Sequence, residues 1–201
     1  MAKKNLNKIG ILGGSFDPPH IGHLLIAQTV CEVEDFDKIL FVPAYSPPHK
    51  NQITDIEHRI NMVKIAIRDN PKFEYSDVDV IRKGTSYTID TIVDIKKRID
   101  TSKDEIYYLI GSDSLIDFKN WKKPRKILKE AKVIVAIRPG FSPSDIPHWI
   151  LKEVHFANIP RFELSSSTIR SRWIKDLTIR YMVTLPIWDY INENKLYSLK
   201  P

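Results

Sequence analysis

Gly13-Gly14-Ser15-Phe16-Asp17-Pro18-Pro19-His20-Ile21-Gly22-His23 follows directly on the apolar run Ile9 to Leu12. An apolar run that ends in paired glycines reads as a short strand entering a tight loop, because glycine lets a backbone approach a ligand and take conformations that a side chain forbids. Pro18 and Pro19 force a sharp turn, and the apolar stretch from Ile21 reads as a helix. A helix start offers unpaired N–H groups and the positive end of its dipole, which together suit a phosphate. His20 and His23 fall on one side of that first turn, as donors aimed at a phosphate. Two other readings compete. A glycine pair after a strand is often only a turn, and His-x-x-His is also half of a metal site. No Glu follows the first His as in a zincin, and a single cysteine rules out thiolate-rich zinc chemistry. Glycines, prolines and the strand-to-helix context together favour phosphate, and no metal ligand set is assigned.

The 201 residues are enough for one domain spanning 1–201 with a substantial core. Hydrophobic content of 42% and charged content of 28% are those of an ordinary globular protein. Cys31 falls inside the first expected helix, as a small buried apolar residue rather than half of a disulfide. No apolar run is long enough to cross a bilayer, and the short run after Lys3 and Lys4 belongs to the glycine motif rather than to a signal peptide. A cytoplasmic location, with no membrane partner, is therefore expected. The net charge of +6 favours anionic partners. Lys119 to Lys132 is dense in cations, yet only Phe118 and Trp121 interleave with them. That is thin for a binder of single strands, and a solvated helix face is the expectation, with no nucleic-acid partner.

Strand-like and helix-like stretches alternate along the chain, the pattern of a parallel sheet with helices on its faces. The expected strands are Lys8 to Leu12, Lys38 to Val42, Phe73 to Val78, Glu105 to Ile110, Val133 to Ile137 and Val154 to Phe156. Apolar stripes at helical spacing mark Glu57 to Arg68 and Tyr87 to Ile99. Ser165 to Lys175 and Ile187 to Lys195 read as a small helical extension, and Pro139 to Pro147 as a loop. The fold class is α/β, a Rossmann-like parallel sheet flanked by helices.

Leu164-Ser165-Ser166-Ser167-Thr168-Ile169-Arg170 is the second informative stretch. Any one of its hydroxyls could serve as a helix N-cap. Four in a row followed by Arg170 and Arg172 exceed what capping requires, and a guanidinium can grip phosphate through two parallel bonds. Two such grips far apart in one chain suit a nucleoside triphosphate. Ile110-Gly111-Ser112-Asp113 places Asp113 where a strand ends, on the crevice side of an open α/β sheet. There it either caps the next helix or accepts from ribose hydroxyls. Trp121 sits among polar residues and offers an indole able to stack on a flat ring.

These motifs resemble the nucleotidyltransferase superfamily, whose His-x-Gly-His tetrad is matched by His20-Ile21-Gly22-His23. Phe16-Asp17-Pro18-Pro19, Pro47-Pro48-His49-Lys50 and Gly84-Thr85-Ser86-Tyr87-Thr88-Ile89-Asp90-Thr91 resemble one branch, bacterial nicotinate mononucleotide adenylyltransferase, and the likeness spans Lys8 to about Arg172. Ser15 stands where that family commonly has Thr, and Ser167 where its hydroxyl motif has Thr. The resemblance implies transfer of AMP from ATP to nicotinate mononucleotide in NAD biosynthesis. It implies ATP contacts at Gly13, Gly14, Ser15, Phe16, His20, His23, Gly111, Asp113, Ser166, Ile169 and Arg170, with His20, His23 and Arg170 carrying the catalysis. It implies mononucleotide contacts at His49, Lys50, Thr85, Trp121 and Arg138, with nicotinate carboxylate read by N–H groups around Thr85. Magnesium is implied through the ATP phosphates rather than protein ligands, and a homo-oligomer is compatible with all of this. Pantetheine-phosphate adenylyltransferase shares the histidine and serine motifs but lacks the Pro-Pro-His-Lys and Tyr-Thr-x-Asp-Thr segments.

Overall fold

The computed structural model describes residues 7–49, 53–99, 104–137, 140–160 and 163–198. Six strands, β1 (Asn7–Gly14), β2 (Lys38–Pro43), β3 (Phe73–Tyr75), β4 (Asp104–Gly111), β5 (Lys132–Ala136) and β6 (Val154–Ala157), form one sheet in the order β3-β2-β1-β4-β5-β6. All five pairings are parallel. Parallel neighbours require crossover connections. These contain α1 (Ile21–Val33), α2 (Ile56–Ile67), α3 (Val78–Arg82), α4 (Thr88–Arg98), α5 (Ser112–Asp117), α6 (Pro124–Glu130) and α7 (His148–Leu151). After β6 come α8 (Ser166–Ile174) and α9 (Leu185–Glu193). This is the Rossmann-like α/β architecture.

The apolar strands are buried on both faces, and alternation divides their side chains between two cores. Ile9 and Ile11 of β1, Tyr108 and Ile110 of β4 and Val133 and Val135 of β5 meet α4 and α6 through Ile89, Ile92, Ile95 and Ile127. Leu12, Phe41, Leu109, Ile134 and Ala136 face the opposite way, onto Ile26, Ala27, Val30 and Cys31 of α1 and Val63 and Ile67 of α2. Cys31 is buried and free, as its apolar surroundings suggest. A third cluster, of Met62, Ile169, Ile179, Val183, Ile187, Ile191 and Leu196, seats the C-terminal helices on α2. Tyr190 adds polar contacts there, its hydroxyl lying 3.0 Å from Nδ1 of His58 and accepting from the Asn61 amide at 3.1 Å.

Two expectations need correction. The third strand stops at Tyr75 rather than Val78, and Val78 instead opens α3 and is buried in the first core. The helix expected from Tyr87 begins at Thr88, with Tyr87 as its N-cap, and the short α3 precedes it. The basic segment is a solvated face: Lys119, Lys122, Lys123, Arg125, Lys126 and Lys129 are all exposed, while Ile127 alone of α6 is buried. Among the described residues no helix is long and apolar enough to cross a membrane.

Ile187 is fully buried in the third cluster. Truncating it as Ile187→Ala should lower unfolding free energy by about 2–5 kcal/mol, read from urea unfolding midpoints at constant slope. A loss well under about 1 kcal/mol would mean that this cluster does not fasten the C-terminal helices.

Candidate active site

Strand order reverses at the β1–β4 pair, and ligands of open α/β sheets bind beyond the carboxyl ends of the strands at such a point. A cleft of about 510 Å³ lies there. Its walls include Gly13 and Gly14 at the end of β1 with Ser15 beyond, His20 and His23 at the start of α1, Gly111 at the end of β4 with Asp113 in α5, Trp121, and Ser166 and Arg170 of α8. Residues that the sequence reading separates by most of the chain therefore share one space.

Close approach explains the first glycine. A Cβ on Gly13 would fall 2.5 Å from the Tyr108 hydroxyl, so β1 can pass this ring only without a side chain. Tyr108 is buried, lines the cleft, and accepts from the Thr88 hydroxyl at 3.3 Å. Burial pushes its phenol up to about 12, so it stays neutral and can donate at any physiological pH. Its place in a strand that reads as core gave no sign of a site residue.

His20 is the N-cap of α1 and is 2% exposed; its ring stacks on His23 with centroids 3.7 Å apart. The His20 backbone N–H donates to Nδ1 of His23 at 3.2 Å. An accepting Nδ1 leaves the proton on Nε2, which makes His23 a donor at its far nitrogen in the neutral form. The helix start is also less open than the sequence suggests. The Ile21 N–H donates to the Met182 carbonyl at 3.0 Å and the His23 N–H to the His20 carbonyl at 2.9 Å.

The serine run divides its labour. Ser165 is the N-cap of α8, its hydroxyl accepting from the Thr168 N–H at 3.1 Å. Ser166 donates to the Pro18 carbonyl at 2.8 Å. Arg170 donates to the Asp17 carbonyl at 2.6 Å and stands 3.7 Å from its carboxylate. Asp17 is buried, and its carboxylate also accepts from the Tyr197 hydroxyl at 2.9 Å and the Thr54 N–H at 3.3 Å. Burial, with Asp17 nearby, pushes the Tyr197 phenol far up.

The remaining residues read from the sequence have varied settings. Phe16 is 1% exposed, at a positive φ of 49°, with its ring over Gly14 and edge-on to His23 at 5.0 Å; it packs the loop from beneath. Ile169 is fully buried in the third cluster, a packing residue. His49 is exposed in a turn. Thr85 is exposed three residues ahead of α4, in a parallel bridge with Ser46, and the neighbouring Ser86 N–H is used by the Ser46 carbonyl at 2.9 Å. Thr85 itself is therefore extended, and the helix starts at Thr88. Lys50 and Arg138 lie outside the described residues. Trp121 is half-buried, packs on Phe118 at 5.1 Å and the first core, and still lines the cleft.

Sequence reasoning passes over Arg59 and Asp17, whose roles depend on partners far along the chain. Arg59 is 1% exposed and donates to the carbonyls of Thr54, Ser15, Ala44 and Tyr45. Burial pulls its guanidinium down, and Asp17 opposes that.

The Cytidylyltransferase-like family matches residues 11–172, the span from β1 to α8 that builds this cleft. The nicotinate-nucleotide adenylyltransferase of Bacillus subtilis is 39% identical over 195 residues, covering 96% of this chain and all of that one. A probable nicotinate-nucleotide adenylyltransferase of Exiguobacterium sibiricum is 40% identical over 192 residues, 95% of this chain and 99% of its own. The chain belongs to the nicotinate-nucleotide adenylyltransferase family. The nicotinic acid mononucleotide adenylyltransferase of Plasmodium falciparum, complexed with NaAD, superposes with a TM-score of 0.78 at 25% identity, covering 95% of this chain and 97% of its own. The same Plasmodium falciparum enzyme complexed with APC gives 0.77 at the same identity. The adenylyltransferase family thus matches in both sequence and fold over nearly the whole chain.

Gly13→Ala should lower turnover by at least about tenfold, because its new methyl and the Tyr108 hydroxyl cannot share one place and overpacking moves the cleft wall. Tyr108→Phe in the same chain removes the clashing oxygen and should restore most of the loss. Steady-state rates of both variants check this; no recovery in the double variant would show that Gly13 is needed for another reason.

Proposed function

We propose that this cleft carries out adenylyl transfer from ATP to nicotinate mononucleotide, giving deamido-NAD and pyrophosphate, and that residues 1–201 form one catalytic domain. The observation that carries this is the meeting of the Gly13–His23 loop with the start of α8 around one cleft, sealed by the Ser166–Pro18 bond across 148 positions. The family relationship names the reaction.

The mononucleotide phosphate is already an anion and a competent nucleophile, so no side-chain nucleophile or strong base is required. One of its oxygens attacks the α-phosphorus in line, the bond from that phosphorus to the β-bridging oxygen breaks, and pyrophosphate takes the electron pair. The chain's work is alignment and relief of developing charge. His23 supplies its Nε2–H to the phosphates beside His20, with the Gly13–Ser15 backbone close enough to flank them. Arg170 and Ser166 serve the triphosphate tail, Gly111 and Asp113 the ribose, and Trp121 the pyridine ring. Arg170 rests on Asp17, so its guanidinium is held in place before ATP arrives.

Magnesium enters as part of the ATP substrate. Among the described residues, Asp113 is the sole carboxylate lining the cleft, and no group of three His, Cys, Asp or Glu could hold a metal ion. The donor set therefore suits a metal carried on phosphate oxygens rather than a protein-held ion. A cytoplasmic location belongs to this reading, which has no role for nucleic acid or membrane. A homo-oligomer is compatible with this reading.

Pyrophosphate release from ATP, measured in parallel with nicotinate mononucleotide, nicotinamide mononucleotide and phosphopantetheine, tests the assignment. Release with phosphopantetheine alone would overturn it. His23→Ala should reduce turnover by about 10²–10³-fold with the melting temperature preserved, the usual cost of losing one aimed donor. Near wild-type turnover would remove His23 from the phosphate role. Trp121→Ala should raise the KM for nicotinate mononucleotide roughly tenfold, since an aromatic stack contributes about 1 kcal/mol and lost burial adds to it. The KM for ATP should stay put, and equal changes in both constants would make Trp121 a packing residue.

A further inference from the structure

Arg59 does not line the cleft, yet it is a charged side chain at 1% exposure. Its Nε donates to the Thr54 carbonyl at 2.8 Å, Nη1 to those of Ser15 and Ala44 at 2.9 and 2.6 Å, and Nη2 to that of Tyr45 at 3.0 Å. The acceptors belong to three segments: the loop after β1, the loop after β2, and the entry to α2. Ser15 is in the cleft wall. Ala44 and Tyr45 begin the stretch that runs to His49, and they carry the Thr85 segment with them. Tyr45 donates its N–H to the Ser86 hydroxyl at 2.9 Å, and Thr85 bridges to Ser46.

A buried guanidinium is costly unless its donors are met, and an apolar side chain of the same bulk would fill the space without that cost. What the fork adds is geometry. Its planar donors hold separate carbonyls at fixed mutual angles, which a lysine ammonium on a flexible stem does not reproduce. We propose that Arg59 is a positioning residue for adenylyl transfer, setting the distance between the loop that holds the triphosphate and the 44–49 and 85–86 segments on the mononucleotide side. The inference rests on the reaction assigned above. It follows that Arg59 acts on the alignment of nucleophile and phosphorus, where a displacement of about 1 Å costs on the order of a hundredfold in rate.

The test uses Arg59→Lys in the full chain, with kcat, both KM values, thermal midpoint and amide hydrogen exchange measured together. The expected result is a folded enzyme whose kcat is down roughly 30- to 100-fold with each KM within about threefold of wild type. Exchange should quicken at residues 44–46 while α8 and α9 keep wild-type protection. A kcat per folded molecule close to wild type, whatever the thermal midpoint, overturns the proposal and makes Arg59 a structural filler. Unchanged exchange at 44–46 overturns it as well. If Arg59→Lys does not fold, Arg59→Gln is judged by the same criteria. Failure of the underlying reaction reads differently: the wild-type chain then releases no pyrophosphate with nicotinate mononucleotide, while the exchange comparison still decides whether Arg59 tethers the two loops.

Discussion

Opposite charges buried beneath one glycine loop are the constraint on which the rest of this site depends. Asp17 and Arg59 are each 1% exposed. A charge removed from water is tolerated only when it is paired and its hydrogen bonds are met. Asp17 meets this through Tyr197, Thr54 and Arg170, and Arg59 through four main-chain carbonyls. Together these partners come from five stretches of chain. Satisfying the two charges therefore pins the loop after β1, the loop after β2, the start of α2, α8 and the C-terminal turn into one arrangement. A fully satisfied polar network of this kind specifies a single geometry more sharply than apolar packing does.

The sheet supplies what this network cannot, a rigid frame with a crevice. Parallel pairing buries both faces, so β1 and β4 have no freedom to slide without turning apolar side chains toward the wrong core. The Gly13–His23 loop thus starts from a fixed strand end and finishes in α1, which the second core holds down. The C-terminal helices have their own cluster and rest on α2, the helix that carries Arg59. Packing and polar network converge on that helix.

Much of this was legible in the residues. Strand periodicity and the apolar run Val133 to Ala136 foretell a parallel sheet, and the glycine–histidine loop with the serine run names both ends of the cleft. What escaped reading depends on partners distant in sequence. Arg59 looks like one more cation on an amphipathic helix, and nothing local says that four carbonyls surround it. Tyr108 reads as strand core, and its hydroxyl becomes a wall of the cleft only because β1 passes it at Gly13. The extended setting of Thr85 is not legible either, because it comes from pairing with Ser46, 39 positions earlier. Phe16 and Ile169 stand inside functional motifs but face the core, since a motif also carries the residues that hold it up.

The tie between Asp17 and Tyr197 spans 180 positions, and those from Asp17 to Arg170 and from Pro18 to Ser166 span 153 and 148. Contacts so distant along the chain close late, because the entropy of a long loop must be overcome before they form. A chain cut short of Tyr197 would keep all six strands and lose one of the partners of the Asp17 carboxylate, so truncation there reaches the cleft loop without touching the sheet.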